Sequence, residues 1–414
     1  MTELFTDTHT VSFRPTRKAG LEQLEHFAPR MGRHYAQNRN ADLGPGERTN
    51  VSALSPWIRT RLVLEEEVAR KALDGFLYAS AEKFHQEICW RSYFKGWMEH
   101  RPSVWQAYLE RRDEHLSALS GNAGLRKAYD EAVSGRTGIA GFDNWARELV
   151  ETGYLHNHAR MWFASIWIFT LKLPWELGAD FFLKHLMDAD PASNTLSWRW
   201  VGGLHTRGKT YLARKDNIEK YTDGRFSPSG LAQDATPLEG FENPSPRWPD
   251  LPAGKAKGRT GLLLTEEDMH LASLASGIED LVAVAGCVFP DARSPSGAGE
   301  QAKRFAQGAL DDVLRRAMER MSLPARKLSA DDFIQVTVEW ALETKMDTVA
   351  TGYAPVGWVR PKLNALKDAL SEHDIQLVEI VRDWDRLFWP HATKGFFPLK
   401  KQIPEVYAEL GMPV

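Results

Sequence analysis

The sequence predicts a helical domain followed by a smaller α/β domain built on a parallel sheet. Three observations lead there. Residues 153–203 are a long apolar stretch with helical spacing that nonetheless carries His156, Asn157, His158, Arg160, Asp188, Asp190 and Asn194. Residues 228–258 are rich in Pro and Gly and read as a linker. Beyond them, short apolar runs alternate with helical patterns, which implies parallel strands covered on both faces. The chain therefore divides into an N-terminal arm (1–29), a helical domain (30–227), the linker (228–258) and the α/β domain (259–414).

Composition bounds the function. The 414 residues suffice for two or three domains, and 43% hydrophobic with 26% charged residues is a globular balance. No apolar run approaches the roughly 20 residues of a membrane span. The start, MTELFTDTHTVSF, lacks a basic-then-apolar signal pattern. Two cysteines, Cys89 and Cys287, point to a reducing, cytoplasmic setting without a disulfide framework, and they are too few for an all-cysteine iron–sulfur cluster. Net charge is −3, with residues 1–227 at +3 and the remainder at −6, so contact with a nucleic acid would need a local basic patch. Ten of the 15 tryptophans lie between Trp57 and Trp200, placed either for core packing or for stacking on a ligand.

Taken in order, residues 30–57 (RMGRHYAQNRNADLGPGERTNVSALSPW) read as ordered loop. Residues 58–79 and 80–99 read as amphipathic helices, the second carrying QEICWRSYF, where Glu87 and Arg91 have the spacing of a helix ion pair. Residues 100–134 are helical, with YLERRDEHL as a solvated charged face. GRTGIAGFDNW at 135–145 is a turn into a core helix. In the stretch that follows, Asn157, Arg160 and Met161 share one helix face, and Trp162, Ser165, Ile166 and Phe169 an adjoining one, so this helix is buried on most sides. Pro174 ends it and Trp175 opens the next, through Met187. Asp188 and Asp190 fall in the turn DADPASN, where two buried carboxylates need a cation or several donors, and Arg160 is the nearest partner in type. Either these polar groups satisfy one another as a buttress, or they satisfy a bound polar ligand. LHTRGKTYLARKDNIEKYTDGRF, with Arg207, Lys209, Arg214 and Lys215, is a solvated loop or a strip for a phosphate backbone.

HNHARM, then DADPASN, then WRW resemble the flavin-binding core of the photolyase/cryptochrome family, which reads roughly HNRxRM, DGDxAxN and WxW at the same spacings. The likeness spans scattered blocks from 30 to 225. It implies a photolyase-like helical FAD-binding domain. VSALSPW resembles the family's phosphate-wrapping TSRLSPH, matching at Ser52, Leu54 and Ser55, with Val51 and Ala53 in place of Thr and Arg. Tyr35 and Arg39 take the phosphate-side tyrosine and arginine. QEICWRSYF is similar to NELIWREFY. The resemblance implies that Arg91, Arg160, Asp188, Asp190 and Asn194 hold FAD, with Arg160 paired to Asp188, Asp190 at the N3/O4 edge and Asn194 at N5. It implies that Glu87, Trp90, Asn157, Met161 and Trp200 line a pocket for a flipped lesion. It also implies that Trp198 and Trp175 are the inner and middle members of an electron-supply chain. The outer tryptophan is missing near Asn122, with Tyr129, Trp162 or Trp167 as substitutes. No metal site is implied. His158 replaces the arginine of HNR, and serves either within the helix bundle or as a general acid.

In the second domain, GLLLTEED and LVAVAGCVF read as strands, 299–322 and 329–345 as helices, DTVATGYAP as a strand, VRPKLNALKDALSEH as a helix and QLVEIVRDWD as a strand. The tail RLFWPHATKGFFPLKKQIP resembles the end of the family's Rossmann-like antenna domain, here in permuted order after the flavin domain; no pigment can be assigned to it. Together these expectations describe a light-driven repair enzyme. It would be a monomer that passes an electron from reduced FAD to a pyrimidine dimer in UV-damaged DNA, duplex or single-stranded. The alternatives are a cryptochrome-like photoreceptor with the same flavin, a 6–4 photoproduct photolyase, or a flavoprotein without either role.

Overall fold

The computed structural model describes residues 11–414, so the first ten residues of the expected N-terminal arm lie outside the described residues. The helical part begins with α1 (Arg17–Phe27), capped by the Thr16 hydroxyl on Ala19 N, then α2 (Arg33–Asn38), α3 (Ser55–Arg59) and α4 (Glu65–Gly75). The long α5 (Tyr78–Glu99) follows, then α6 (Ser103–Gly121), α7 (Ala123–Val133) and α8 (Phe142–Thr152). The last helices of this part are α9 (Asn157–Ser165), α10 (Trp175–His185), α11 (Pro191–Val201) and α12 (Lys215–Tyr221). The helix expected from 58 to 79 is shorter, because residues 60–64 turn away with Arg61 at φ 52° and α4 starts only at Glu65. At the end of α9 the chain widens into a π-type turn over Ile166–Thr170, closed by Leu171 N on Ile166 O at 2.9 Å, before Pro174.

The α/β part runs β1 (Thr260–Leu264), α13 (Leu271–Ala275), β2 (Leu281–Gly286), α14 (Glu300–Met321), β3 (Ala325–Lys327), α15 (Phe333–Glu343), β4 (Thr348–Gly352), α16 (Arg360–Ser371) and β5 (Gln376–Ile380). The sheet order is β3-β2-β1-β4-β5 and every pairing is parallel. Strand β1 is fully buried, as its unbroken apolar run requires. The edge strand β3 is absent from the sequence reading: three residues, Ala-Arg-Lys, carry no β period.

Two segments depart from the linear domain picture. TEEDMH after β1 is no strand but a buried turn, with Glu266, Glu267 and Asp268 each at most 3% exposed. The tail forms α17 (Asp383–Phe388) and α18 (Phe396–Glu409), which pack on α5 of the helical part. Gly96 makes this docking possible, since a Cβ there would lie 2.9 Å from the Trp389 Cα. Tyr407 Oη meets His85 Nδ1 at 3.2 Å, and Trp384 Nε1 donates to Ser92 Oγ at 2.7 Å. The buried apolar side chains form one contiguous core through both parts.

Between the two parts lies a dense ion-pair brace. Arg59 donates to both oxygens of Glu267 (3.0 and 2.7 Å) and to Ala189 O (2.7 Å). Arg61 donates to Asp385 at 2.6 Å, and Arg382 holds Asp268 with two bonds of 2.5 and 2.7 Å. Glu267 and Asp268 sit just past the C-terminal end of β1, where the strand order reverses and doubly wound sheets commonly bind ligands. Here that crevice is filled by docking to the helical part.

Candidate flavin-binding site

Helix α11 packs against both α5 and α9, and the polar residues of the three helices converge there. Asp190 is the N-cap of α11: its Oδ1 accepts from Ser193 N at 2.7 Å, and Pro191 occupies the first helical position. Asp188, two residues earlier, accepts from Arg160 Nη2 at 2.8 Å, the pairing expected for it. Arg160 is fixed further by its Nε on Leu155 O at 3.0 Å. Burial pushes the Asp188 carboxyl up, but the Arg160 charge and hydrogen bond outweigh it and hold it below the usual range.

Asp190 is 2% exposed, and its Oδ2 has no hydrogen-bond partner. Two cations face that oxygen: Lys95 Nζ at 3.6 Å and Arg91 Nη1 at 3.8 Å. Arg91 Nη1 is itself buried and unpartnered. Burial raises Asp190, yet Lys95, Arg91 and Arg59 together hold it well below the ordinary carboxylate range, so it stays ionised. A buried acceptor and donor that face each other just beyond hydrogen-bond reach are a gap in the protein's own pairing. A planar group with a donor beside an acceptor, such as the imide edge of an isoalloxazine, has the chemistry to close it.

Asn194, one turn into α11, is buried and donates through Nδ2 to Ala179 O at 2.9 Å, which orients its amide. In the phosphate-side segment, Ser52 and Ser55 are half-buried, Leu54 is buried, and Ala53 adopts φ 50°. This strained position sits between the two serines. Ser52 O accepts from Gln23 Nε2 at 2.9 Å. Tyr35 is a core residue, edge-on to Phe84 at 5.0 Å and Phe27 at 6.0 Å.

On the rim, Glu87 does not pair with Arg91 one helical turn on. Its partner is Arg39 at 3.7 Å, which leaves Arg91 to face Asp190. Burial pushes the Glu87 carboxyl up, against the charges of Arg39 and Lys83. Trp90 and Trp200 are both half-buried: Trp90 stacks on Phe396 of α18 at 3.8 Å and 12°, and Trp200 on Tyr211 at 5.8 Å. Asn157 is exposed at the start of α9 and Met161 is half-buried. No hydrogen bond, ion pair or ring contact joins Asn157, Met161 or Trp200 to Glu87 or Trp90 among the described residues. His158 is tied within the bundle, to Asn40 O at 2.9 Å and Tyr211 Oη at 3.2 Å.

Among the tryptophans, Trp198 is 2% exposed and meets Trp167 edge-on at 6.1 Å, and Trp167 meets the half-buried Tyr129 at 6.1 Å. Trp175 contacts the buried Tyr108 at 5.7 Å, which leads to the buried Trp105. Gly178 is required beside Trp198, since a Cβ would lie 2.3 Å from the indole.

Three residues of this neighbourhood escaped the sequence reading. Lys95 is charged, 3% exposed and one turn beyond Arg91, so a lone lysine on an apolar helix face was its signal. Arg59 and Phe396 had none, because their partners lie 208 and 306 residues away. The charged face expected in YLERRDEHL is only partly solvated: Arg112 is buried, and Arg111 donates to the buried Glu176 at 2.7 Å.

Two open surface clefts lie elsewhere. One of about 450 Å³ is lined by Asp332, Phe333 and Lys362, and one of about 310 Å³ by Phe13, Met187 and Phe305. The fit of a flavin at the helix convergence therefore rests on the unpaired atoms of Arg91 and Asp190, not on a cavity.

Residues 84–227 match the model of the FAD binding domain of DNA photolyase. The chain is 29% identical over 226 residues to a deoxyribodipyrimidine photo-lyase of Streptomyces griseus, covering 50% of this chain and 47% of that one. It is 31% identical over 202 residues to one of Thermus thermophilus (48% and 45% covered), and 27% over 211 residues to that of Escherichia coli (49% and 42%). The chain thus spans about half the length of the curated relatives it matches. Among solved structures, a class III photolyase from Agrobacterium tumefaciens aligns with TM-score 0.42 at 25% identity (50% and 43% covered). A Synechocystis cryptochrome aligns with TM-score 0.41 at 23% identity (52% and 45%). No helix among the described residues is long and apolar enough to cross a membrane.

Proposed function

We propose, from the match of residues 84–227 to the FAD binding domain of DNA photolyase, that this chain is a DNA-repair flavoprotein that splits UV-induced pyrimidine dimers under light. It acts as a monomer in the cytoplasm on a lesion turned out of its strand. When bound, reduced FAD supplies the light-driven electron that such repair requires. The protein's part is to hold and orient. Arg91 and Lys95 present positive charge and Asp190 a fixed acceptor at one edge of the ring. Arg160 and Asp188 brace the side of the cradle, and Asn194 presents its amide. Ser52 offers its hydroxyl toward the phosphates, and Ser55, whose hydroxyl also helps hold Asp188 ionised, stands beside it.

On the rim, Glu87 accepts hydrogen bonds from the lesion's base edge, with Trp90 and Trp200 as aromatic walls and Asn157 and Met161 beside them. Extruding a damaged base costs less than extruding a paired one, which favours the lesion over intact DNA. Trp198 is the inner residue of electron supply. Its edge contact with Trp167, and that of Trp167 with Tyr129, favour this branch to the surface over the one through Trp175, whose ring contacts lead to buried Tyr108 and Trp105.

The observation that carries the reading is the facing pair of unpartnered buried atoms, Arg91 Nη1 and Asp190 Oδ2, inside the segment with the family's match. The test is illumination of the purified, reduced chain with an oligonucleotide that carries a cyclobutane dimer, and chromatographic counting of restored pyrimidines. Light-dependent restoration is expected. Bound flavin without restoration would assign the chain to light sensing.

A further inference from the structure

Phe397 is 74% exposed, and its surroundings set it apart from a lone surface hydrophobe. It adjoins Phe396 (6.5 Å between rings), which is stacked face to face on Trp90. From Trp90 the aromatic contacts continue along the rim to Phe94 (5.4 Å) and on to His205 (6.0 Å), where the basic loop with Arg207 and Lys209 begins. Lys394 and Lys401 flank Phe397. All four of these cations are exposed, and none makes an ion pair among the described residues. The neighbouring acids are engaged: Glu82 with Lys400 at 3.0 Å, and Glu87 with Arg39. The acidic residues of α18 itself, Glu405 and Glu409, lie beyond Pro404 at the far end of the helix.

We propose that the start of α18 is a nucleic-acid surface, on which Phe397 stacks against a base left unpaired beside the site while Lys394 and Lys401 neutralise the flanking phosphates. This rests on the reading that the rim around Glu87 and Trp90 receives damaged DNA. Turning a lesion out of a duplex strips its neighbours and its partner bases of their stacking. An exposed aromatic ring offers them a new face, whatever their identity. The stack of Phe396 on Trp90 fixes where Phe397 stands relative to the lesion pocket, and cations on either side match a strand that runs past it.

The test measures binding by the FAD-loaded full chain, in the dark, to a dimer-containing duplex, the same duplex undamaged, and a single strand. Phe397→Ala should weaken the damaged duplex and the single strand by about tenfold or more. It should leave the undamaged duplex, the flavin content and the melting temperature unchanged, and Phe397→Trp should restore binding. The double variant Lys394→Glu/Lys401→Glu should weaken all three and lower the salt dependence of binding by about two phosphate contacts. Full retention of damaged-duplex and single-strand affinity by Phe397→Ala, or a change of oligomeric state in its place, overturns this proposal alone. A wild-type chain that does not prefer the damaged duplex overturns the reading of the site and this proposal with it.

Discussion

Two buried charge clusters lie within a few residues of each other, and they differ in how completely they are paired. In the brace, Glu267, Asp268 and Asp385 are all gripped by arginines at 2.5–3.0 Å. In the cradle, Asp190 keeps one oxygen unpaired with two cations held at 3.6 and 3.8 Å. Both sets of charges are desolvated to a similar degree, so burial does not separate them. The brace is not wholly closed, since the buried Arg61 Nε has no hydrogen-bond partner and stands 3.5 Å from Glu65, but each of its three arginine-held carboxylates is bonded at both oxygens. The difference teaches that anions satisfied at both oxygens serve the fold, while a buried carboxylate oxygen left open is free for another donor.

The largest effect should come from breaking the brace. Asp268→Ala leaves the largely buried Arg382 guanidinium without its carboxylate, while Arg61 keeps Asp385, at a cost of about 3 kcal/mol in chemical denaturation. A loss below about 1 kcal/mol would show the brace to be ornamental.

The next prediction separates the clusters by pH. Because the folded state holds Asp190 well below its ordinary range, its contribution is present at neutral pH and is lost as the pH falls through that range. Asp190→Asn keeps a capping side chain while removing the charge. Its stability should drop less on acidification than that of the wild type, by about 1 kcal/mol between neutral pH and about pH 3, with the gap widening at lower pH. Parallel acid limbs in the two proteins would contradict this.

The smallest effect on stability belongs to the rim. Glu87→Ala breaks only a half-exposed pair at 3.7 Å, so unfolding should change by less than about 1 kcal/mol, while dimer repair per bound flavin falls. Unfolding of this variant would make Glu87 a helix brace and no more.

What was legible in the sequence follows from the range of the interactions. The alternation that builds the sheet is local, and so is the spacing that sets Asp190 at the cap of α11 and Arg160 on α9 within reach of Asp188. The brace, by contrast, joins residues 114 to 324 positions apart, and nothing in SPWIRTR announces that Arg59 and Arg61 reach the carboxylates of the second part. Glu87 with Arg91 shows the opposite failure: the right helical spacing, overridden because each side chain found a partner on another element. The tail escaped for the same reason, since its docking onto α5 depends on Gly96 and on aromatic contacts that no local period encodes.

The most direct test is titration of the flavin-free chain with FAD, wild type beside Arg91→Met. Arg91 faces the gap and adds little to the fold, because Asp190 keeps Lys95 and its cap. The expected result is one FAD per wild-type chain, and an affinity roughly 10- to 100-fold weaker for Arg91→Met at an unchanged melting temperature, as loss of a charge-assisted hydrogen bond implies. A folded wild-type chain that takes up no FAD, or an Arg91→Met chain that binds it as tightly, would contradict the cradle's role as a flavin site.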